Sequence, residues 1–299
     1  MADEVAPRLR HLGLMLPHTP LQHLLLGRVD YPLVMTSGNR SDEPIAYEDG
    51  DALARLGGIA DLFLAHDRPI EVRCDDSVAR CIDGAPVVLR RARGYVPLAI
   101  SLVHEAAEPI LACGGSSRAC LLWSGAGKCS SASIWVILAM SAHTVPGRTP
   151  LPHLQRLLEL TPRVVAHDLH PGYRSTSYAR MLDGVRHVPV QHHHAHIASC
   201  LADNGIDARV IGVSWDGTGY GTDGHVWGGE FLLADLDGFE RAGSFQEVPM
   251  PGGEAAIREP WRMAAVFLQA AYGDGNGRTG SGLRAAPGPH GVAPLEPCS

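Results

Sequence analysis

The densest chemistry in this chain is the run Gln191-His192-His193-His194-Ala195-His196-Ile197-Ala198-Ser199-Cys200. On a helix, His192 and His196 lie one turn apart on the same face. Two neutral imidazoles so placed can share one metal ion. A surface tract or a packed helix accounts for such a run equally well. Downstream, an apolar run ends in Trp215-Asp216-Gly217-Thr218-Gly219-Tyr220-Gly221-Thr222-Asp223-Gly224, followed by Val226-Trp227-Gly228-Gly229-Glu230. A carboxylate at a strand end, opening a glycine-dense hairpin, can supply a further ligand. The glycines permit positive φ and let backbone N–H groups approach phosphate oxygens. An ordinary Gly-rich hairpin is the commoner reading of that spacing. Together, the pair and the Asp-Gly segment favour a metal–nucleotide site.

A second group lies near the N-terminus. Thr36-Ser37-Gly38-Asn39 offers hydroxyls, an amide and exposed N–H groups, which could cradle an anion. Arg90, Arg91 and Arg93 could supply compensating charge, since the guanidinium fork matches phosphate and carboxylate oxygens. A side-chain-stabilised turn and a solvated charged edge are the blander and commoner alternatives. Asp75-Asp76-Ser77 suits a turn or helix N-cap better than a shared acid–base site, because adjacent residues on a strand face opposite ways. His167, Asp168 and His170 fit ligands and a packed strand-end turn equally.

These residues need elements to hold them. Short apolar runs predict strands at Leu33–Met35, Leu62–Leu64, Pro86–Leu89, Ile110–Cys113, Val164–Ala166, Val188–Val190 and, most clearly, Val210–Trp215. Helical spacing is expected over Asp49–Leu56, over His153–Leu160 and from about Gln191 onward. Strands alternating with helices place the chain in the α/β class. Glu105–Pro109 reads as a linker, and no internal repeat is evident. Ser116–Pro150 contains no Asp or Glu, carries the only lysine (Lys128) and follows neither period. The Gly/Pro-rich segment 273–299 has the composition of a disordered tail.

Composition sets outer limits. The 299 residues suffice for two domains, and 45% apolar with 19% charged residues fits a globular chain. Net charge is −7 and the isoelectric point about 6.1, which argues against a broad basic face for nucleic acid. Seven cysteines show no Cys-x-x-Cys pair, so neither a disulfide scaffold nor a zinc finger is indicated. No apolar run reaches the ~20 residues of a membrane span and no signal peptide is evident, so cytoplasm is the expected location.

Taken in order, the segments resemble the HypF family, the carbamoyltransferases that mature nickel–iron hydrogenases. Leu12-Gly13-Leu14-Met15-Leu16-Pro17-His18-Thr19-Pro20, Thr36 to Pro44, Arg68-Pro69-Ile70, Asp75 to Val78 and Leu89 to Pro97 are similar to the latter part of its YrdC-like domain. His167 to Pro171, Gln191 to Ser199, Asp216 to Glu230 and Glu259 to Ala264 resemble the start of its second catalytic domain, of the actin-like (RNase H-like) ATPase superfamily. The resemblance covers about four-fifths of the chain. It implies a partial YrdC-like twisted-sheet domain over 1–104, a linker over 105–109, and a partial Kae-like domain over 110–272 with 116–150 aberrant.

The resemblance also implies a reaction. ATP and carbamate, released from carbamoyl phosphate, would form carbamoyl adenylate, and the carbamoyl group would pass to the C-terminal cysteine of a HypE-type acceptor for cyanide ligand synthesis. Adenylation gives carbamate a good leaving group, and thiolate attack then needs a site that holds the adenylate in place. Carried across, Thr36, Ser37 and Asn39 fall on the nucleotide loop, with Arg90 and Arg93 nearby. Gly217 and Gly219 fall on the second domain's phosphate loop, and His192, His196 and Asp216 on its metal ligands. The cofactors implied are ATP and a divalent metal, with zinc, iron and magnesium not distinguished.

The family's acylphosphatase domain, zinc fingers and first YrdC-like part are expected to be lacking, as is the second domain's other half with a fourth ligand, an Asp. Of the 25 basic residues 24 are Arg, a sign of a GC-rich coding sequence. Back-translating Trp135 to Ala142 permits codons whose neighbouring frame reads Gly-Asp-Leu-Gly-Asn-Glu-Arg, close to the family's wording. A frameshift is therefore the expectation for 116–150, with frame regained by Leu154 to Leu158. The competing readings are an inert or binding-only fragment and a tRNA threonylcarbamoyl-type nucleotide-binding protein. The acidic balance weighs against nucleic acid, although YrdC-like relatives bind RNA.

Overall fold

A computed structural model describes residues 3–114, 118–124, 133–141, 155, 159 and 161–273, less positions 8, 42, 72–73, 97, 99, 103 and 105. The expected helix at His153–Leu160 lies almost wholly outside the described residues, as does the tail beyond Gly273. No helix among the described residues is long and apolar enough to cross a membrane. The chain divides into two compact units, Met1–Gln191 with Ala202–Ile206, and His192–Leu201 with Asp207–Ser299.

The first unit begins with α1 (Pro20–Leu26) and α2 (Asp49–Leu56). Thr19 caps α1 through a capping box with Gln22, and Pro20 sits in its first turn, where a missing N–H costs nothing. The strands β1 (Val78–Ile82) and β2 (Ala85–Arg90) form an antiparallel hairpin turned by Asp83 and Gly84, both at positive φ. Leu33–Met35 and Leu62–Leu64 are not strands; their backbones are irregular and their side chains largely exposed. Among the described residues no strand pairs with either run, and apolar content alone does not make a ladder. Asp75-Asp76-Ser77 caps no helix. Asp76 forms a β-bridge to Arg93, and the Ser77 hydroxyl donates to the Arg93 carbonyl and accepts from the Ala92 N–H.

Further along, β3 (Ile100–Ser101), β4 (Ile110–Cys113), β5 (Arg118–Ser124), β6 (Ser133–Ser141), β7 (Val164–Asp168) and β8 (Arg186–Val190) make one sheet in the order β3-β6-β5-β4-β7-β8. Strands β4, β7 and β8 are mutually parallel, and the β4–β5–β6 meander is antiparallel. The meander crosses the acid-free stretch, where the sequence shows no period. Leu111, Cys113, Val164 and Val165 are buried on β4 and β7, the pattern of central parallel strands covered on both faces. Between β7 and β8, α3 (Arg174–Arg180) buries Ser175, Thr176 and Ala179.

The second unit holds α4 (His192–Asp203) as far as Leu201 and the antiparallel meander β9 (Val210–Tyr220), β10 (Val226–Ala234) and β11 (Phe239–Ser244), in the order β11-β10-β9. Ile197 and Leu201 of α4 pack on Leu232 and Ala234 of β10, with Val210, Leu236 and Phe239 around them. Two more helices follow, α5 (Glu254–Arg258) and α6 (Trp261–Tyr272).

Candidate metal centre

Helix α4 lies on β9 at two glycines. A Cβ built on Gly212 would meet Ile197 at 2.2 Å, and one on Gly219 would meet the His193 ring at 2.3 Å. Ile197 and His193 are one helical turn apart, so a single stripe of α4 rests on bare backbone at both points. His192 and His196, the neighbouring stripe, are thereby carried to Asp216, which lies between the two glycines in sequence. His193 itself is fully buried, and burial pushes its imidazole below the ordinary value.

Asp216 sits within β9, not at a strand end. The hairpin turns five residues later, between Tyr220 and Val226, where Gly224 takes positive φ. Gly217 and Gly219 are likewise strand residues. Pairing shows why Asp216 nevertheless reaches the helix. Trp227 pairs with Gly219 while Gly229 pairs with Trp215, so β9 carries extra residues opposite Gly228. Gly212 and Ser214 face inward before this bulge and Gly219 after it, a change of parity between them. Bulges re-aim side chains in this way.

The Asp216 Oδ2 lies 2.7 Å from His192 Nε2 and 3.6 Å from His196 Nε2, and the two imidazole nitrogens are 3.2 Å apart. Donors at ~2.1 Å around one tetrahedral zinc would be spaced by about 3.4 Å, so the donor set fits such a cation. The 2.7 Å spacing also suits an N–H···O hydrogen bond. Hydrogen bonding from His192 and then His196 holds the Asp216 carboxyl well below the usual carboxylate range. These three are the one group of potential metal ligands found among the described residues.

The other sequence-derived candidates are placed differently. Thr36 and Ser37 are exposed and Asn39 half-buried. Ser37 Oγ donates to Asn39 Oδ1, Asn39 N–H donates to the Ser37 carbonyl at 3.0 Å, and Asn39 Nδ2 donates to the Arg40 carbonyl at 2.8 Å. That loop is a self-bonded turn. Arg90 closes β2, paired with Val78. Arg93 contacts His18 Nε2 at 2.8 Å, donates to the Cys74 carbonyl at 3.1 Å and lies 3.6 Å from Asp76. His167 and Asp168 are buried; the His167 Nδ1 lies 2.8 Å from the Asp168 carbonyl, and Asp168 Oδ1 accepts the His170 N–H at 2.7 Å. They form a packed strand-end turn.

Sequence reasoning missed one group in the second unit. Arg241 donates to buried Glu230 through Nε at 2.7 Å and a terminal nitrogen at 2.9 Å, and lies 4.3 Å over the Trp227 ring. Trp227 Nε1 donates to Asp223 at 2.9 Å. The pair spans β10 and β11, eleven residues apart, and such a cross-strand pair has no local signal in the sequence.

Three family models match the sequence. "HypF Kae1-like domain" matches residues 105–203, "Carbamoyltransferase, Kae1-like Domain, second subdomain" matches 212–286, and the Sua5/YciO/YrdC model, described as "Telomere recombination", matches 1–92. Carbamoyltransferase HypF2 of Cupriavidus necator is 47% identical over 287 residues, which are 89% of this chain and 35% of the relative. Carbamoyltransferase HypF of Rhizobium leguminosarum bv. viciae is 40% identical over 298 residues, 97% of this chain and 38% of the relative. A crystal structure of full-length HypF in the phosphate- and nucleotide-bound form matches with a TM-score of 0.77 at 43% identity, over 86% of this chain and 41% of that one. A crystal structure of T.kodakarensis HypF matches with a TM-score of 0.79 at 34% identity, over 90% of this chain and 36% of that one. The chain thus spans little more than a third of the length of these curated relatives, joins YrdC-like to Kae1-like sequence, and belongs to the HypF carbamoyltransferase family.

Proposed function

We propose that this chain carries the cation-binding step of ATP-dependent carbamoyl transfer, with His192, His196 and Asp216 as the protein ligands. The observation that carries the reading is the convergence of these three side chains, donor atoms within 4.8 Å of one another, in a chain with HypF-family sequence on both sides. Two imidazoles and one carboxylate suit zinc or ferrous iron better than magnesium, which prefers oxygen ligands and keeps its waters. When bound, the cation would supply positive charge that orients phosphate oxygens. The protein's share is to hold Asp216 ionised, which the two histidines favour, and to direct both imidazoles at one point.

In the wider reaction, carbamoyl phosphate and ATP would be the substrates and carbamoyl adenylate the activated species. The acceptor would be the C-terminal cysteine of a HypE-type protein of hydrogenase maturation. The Thr36, Ser37 and Asn39 turn, with Arg90 and Arg93, would take part in nucleotide binding. Gly217 would do so on β9, where strand backbone rather than a loop would face the phosphates, whereas Gly219 lies buried against the His193 ring.

A second reading, a chain that binds cation without turnover, is favoured by one observation. Among the described residues of 3–104, Ala92 alone is buried, so that region has no packed core. Carbamoyl-phosphate-dependent release of pyrophosphate from ATP by the purified chain separates the two. Release that His192→Ala with His196→Ala reduces at least about 100-fold supports transfer, by the usual cost of losing positioned charge. No release beside an active full-length relative supports the binding-only reading.

A further inference from the structure

The cation ligands are themselves held by something, and the second unit contains a column of side chains suited to it. Trp227 is 3% exposed, and its ring lies 2° from parallel to His193 with centroids 6.3 Å apart. His193 meets His192 edge-on at 5.9 Å. Arg241 sits over Trp227, and Glu230, only 1% exposed, fixes that guanidinium by two hydrogen bonds. Such a bidentate pair locks the fork in plane, and an aromatic face attracts the cation. Asp223 holds the indole N–H from the other end.

We propose that Trp227 and Arg241 are positioning residues for the His192–His196–Asp216 site, acting through His193 to fix the roll of α4 over β9. This rests on the cation reading above. A helix with its side chains has a radius of about 5–6 Å, so a roll of about 10° moves a ring tip by about 1 Å. A ligand set tolerates about half that. Ile197 on Gly212 sets how close α4 lies, but an aliphatic side chain on bare backbone resists sliding more than rolling. A flat imidazole against a flat indole resists rolling, and Arg241 with Asp223 keeps the indole from turning with it.

The test is Co²⁺ titration of the full chain, read by visible ligand-field absorption, with far-UV circular dichroism as the fold check. Trp227→Leu removes the plate and should weaken Co²⁺ binding about 10–100-fold and change the band shape, the usual range for an outer-shell partner. Trp227→Phe keeps an aromatic face, loses the Asp223 bond, and should stay within about threefold of the parent with its spectrum. Parent affinity and spectrum in Trp227→Leu would overturn the proposal, and so would equal weakening in both variants, which would assign the effect to lost volume. If Trp227→Leu does not fold, the double variant Arg241→Gln with Glu230→Gln, which leaves no charge buried alone, decides in the same way. Uptake by the parent that His192→Ala with His196→Ala abolishes, beside an unchanged Trp227→Leu, overturns the column alone; no uptake by the parent overturns the cation reading with it.

Discussion

At the scale of single residues, the site is built from groups whose protonation differs between the folded and unfolded chain. Burial holds the His193 imidazole below its ordinary 6.5. Above that pH it is neutral in both states and its contribution is fully present. As pH falls through 6.5 the unfolded chain takes up a proton that the folded chain refuses, so stability declines until the lowered folded value is passed. Urea midpoints of the chelator-treated chain should therefore fall between pH 7.5 and 5.5, and His193→Asn should flatten that slope. Parallel slopes for the two proteins would contradict this. Asp216 acts in a separate window. Its carboxyl is depressed by His192 and His196, so its contribution is present above about 3.8 and disappears in stronger acid.

At the scale of elements, the contact between α4 and β9 decides whether His192 and His196 meet Asp216. Alanine at 219 would force a methyl group into the His193 ring, while alanine at 217 meets nothing within 4 Å. Gly219→Ala should destabilise the chain by about 1–3 kcal/mol, the range for overpacking a fitted contact, and Gly217→Ala by less than about 0.5 kcal/mol. Thermal or urea unfolding of both variants checks this; equal effects would remove the close approach as an explanation. Here the limits of the sequence are visible. The helical spacing of His192 and His196, the strand at Val210 and the helix Asp49–Leu56 were legible because each obeys a local period. Asp216 was legible as a ligand type but was assigned to a strand end, since glycines look alike in a turn and under a packed helix. Its bulge depends on pairing with β10, and the Glu230–Arg241 pair on the β10–β11 register, neither of which has a local pattern. Leu33–Met35 and Leu62–Leu64 show the converse, apolar runs that no strand among the described residues pairs.

At the scale of the whole molecule, burial is uneven. Leu111, Val165, Ile197, Leu201 and Leu232 form packed interiors in the Kae1-like part, whereas Leu14, Leu16 and Leu62 in the YrdC-like part are each more than 80% exposed. The chain spans 35% and 38% of the length of two curated relatives. The proposed cation site, by contrast, has its three candidate ligands within the second unit, and it can be tested on this chain as it stands. The most direct measurement is calorimetric titration of the full chain with Zn²⁺. One equivalent should bind, and His192→Ala with His196→Ala, or Asp216→Ala, should abolish it or weaken it by at least about 100-fold, as loss of a ligand from a three-donor site requires. Unchanged stoichiometry and affinity in those variants would contradict the convergence of His192, His196 and Asp216 on a single cation.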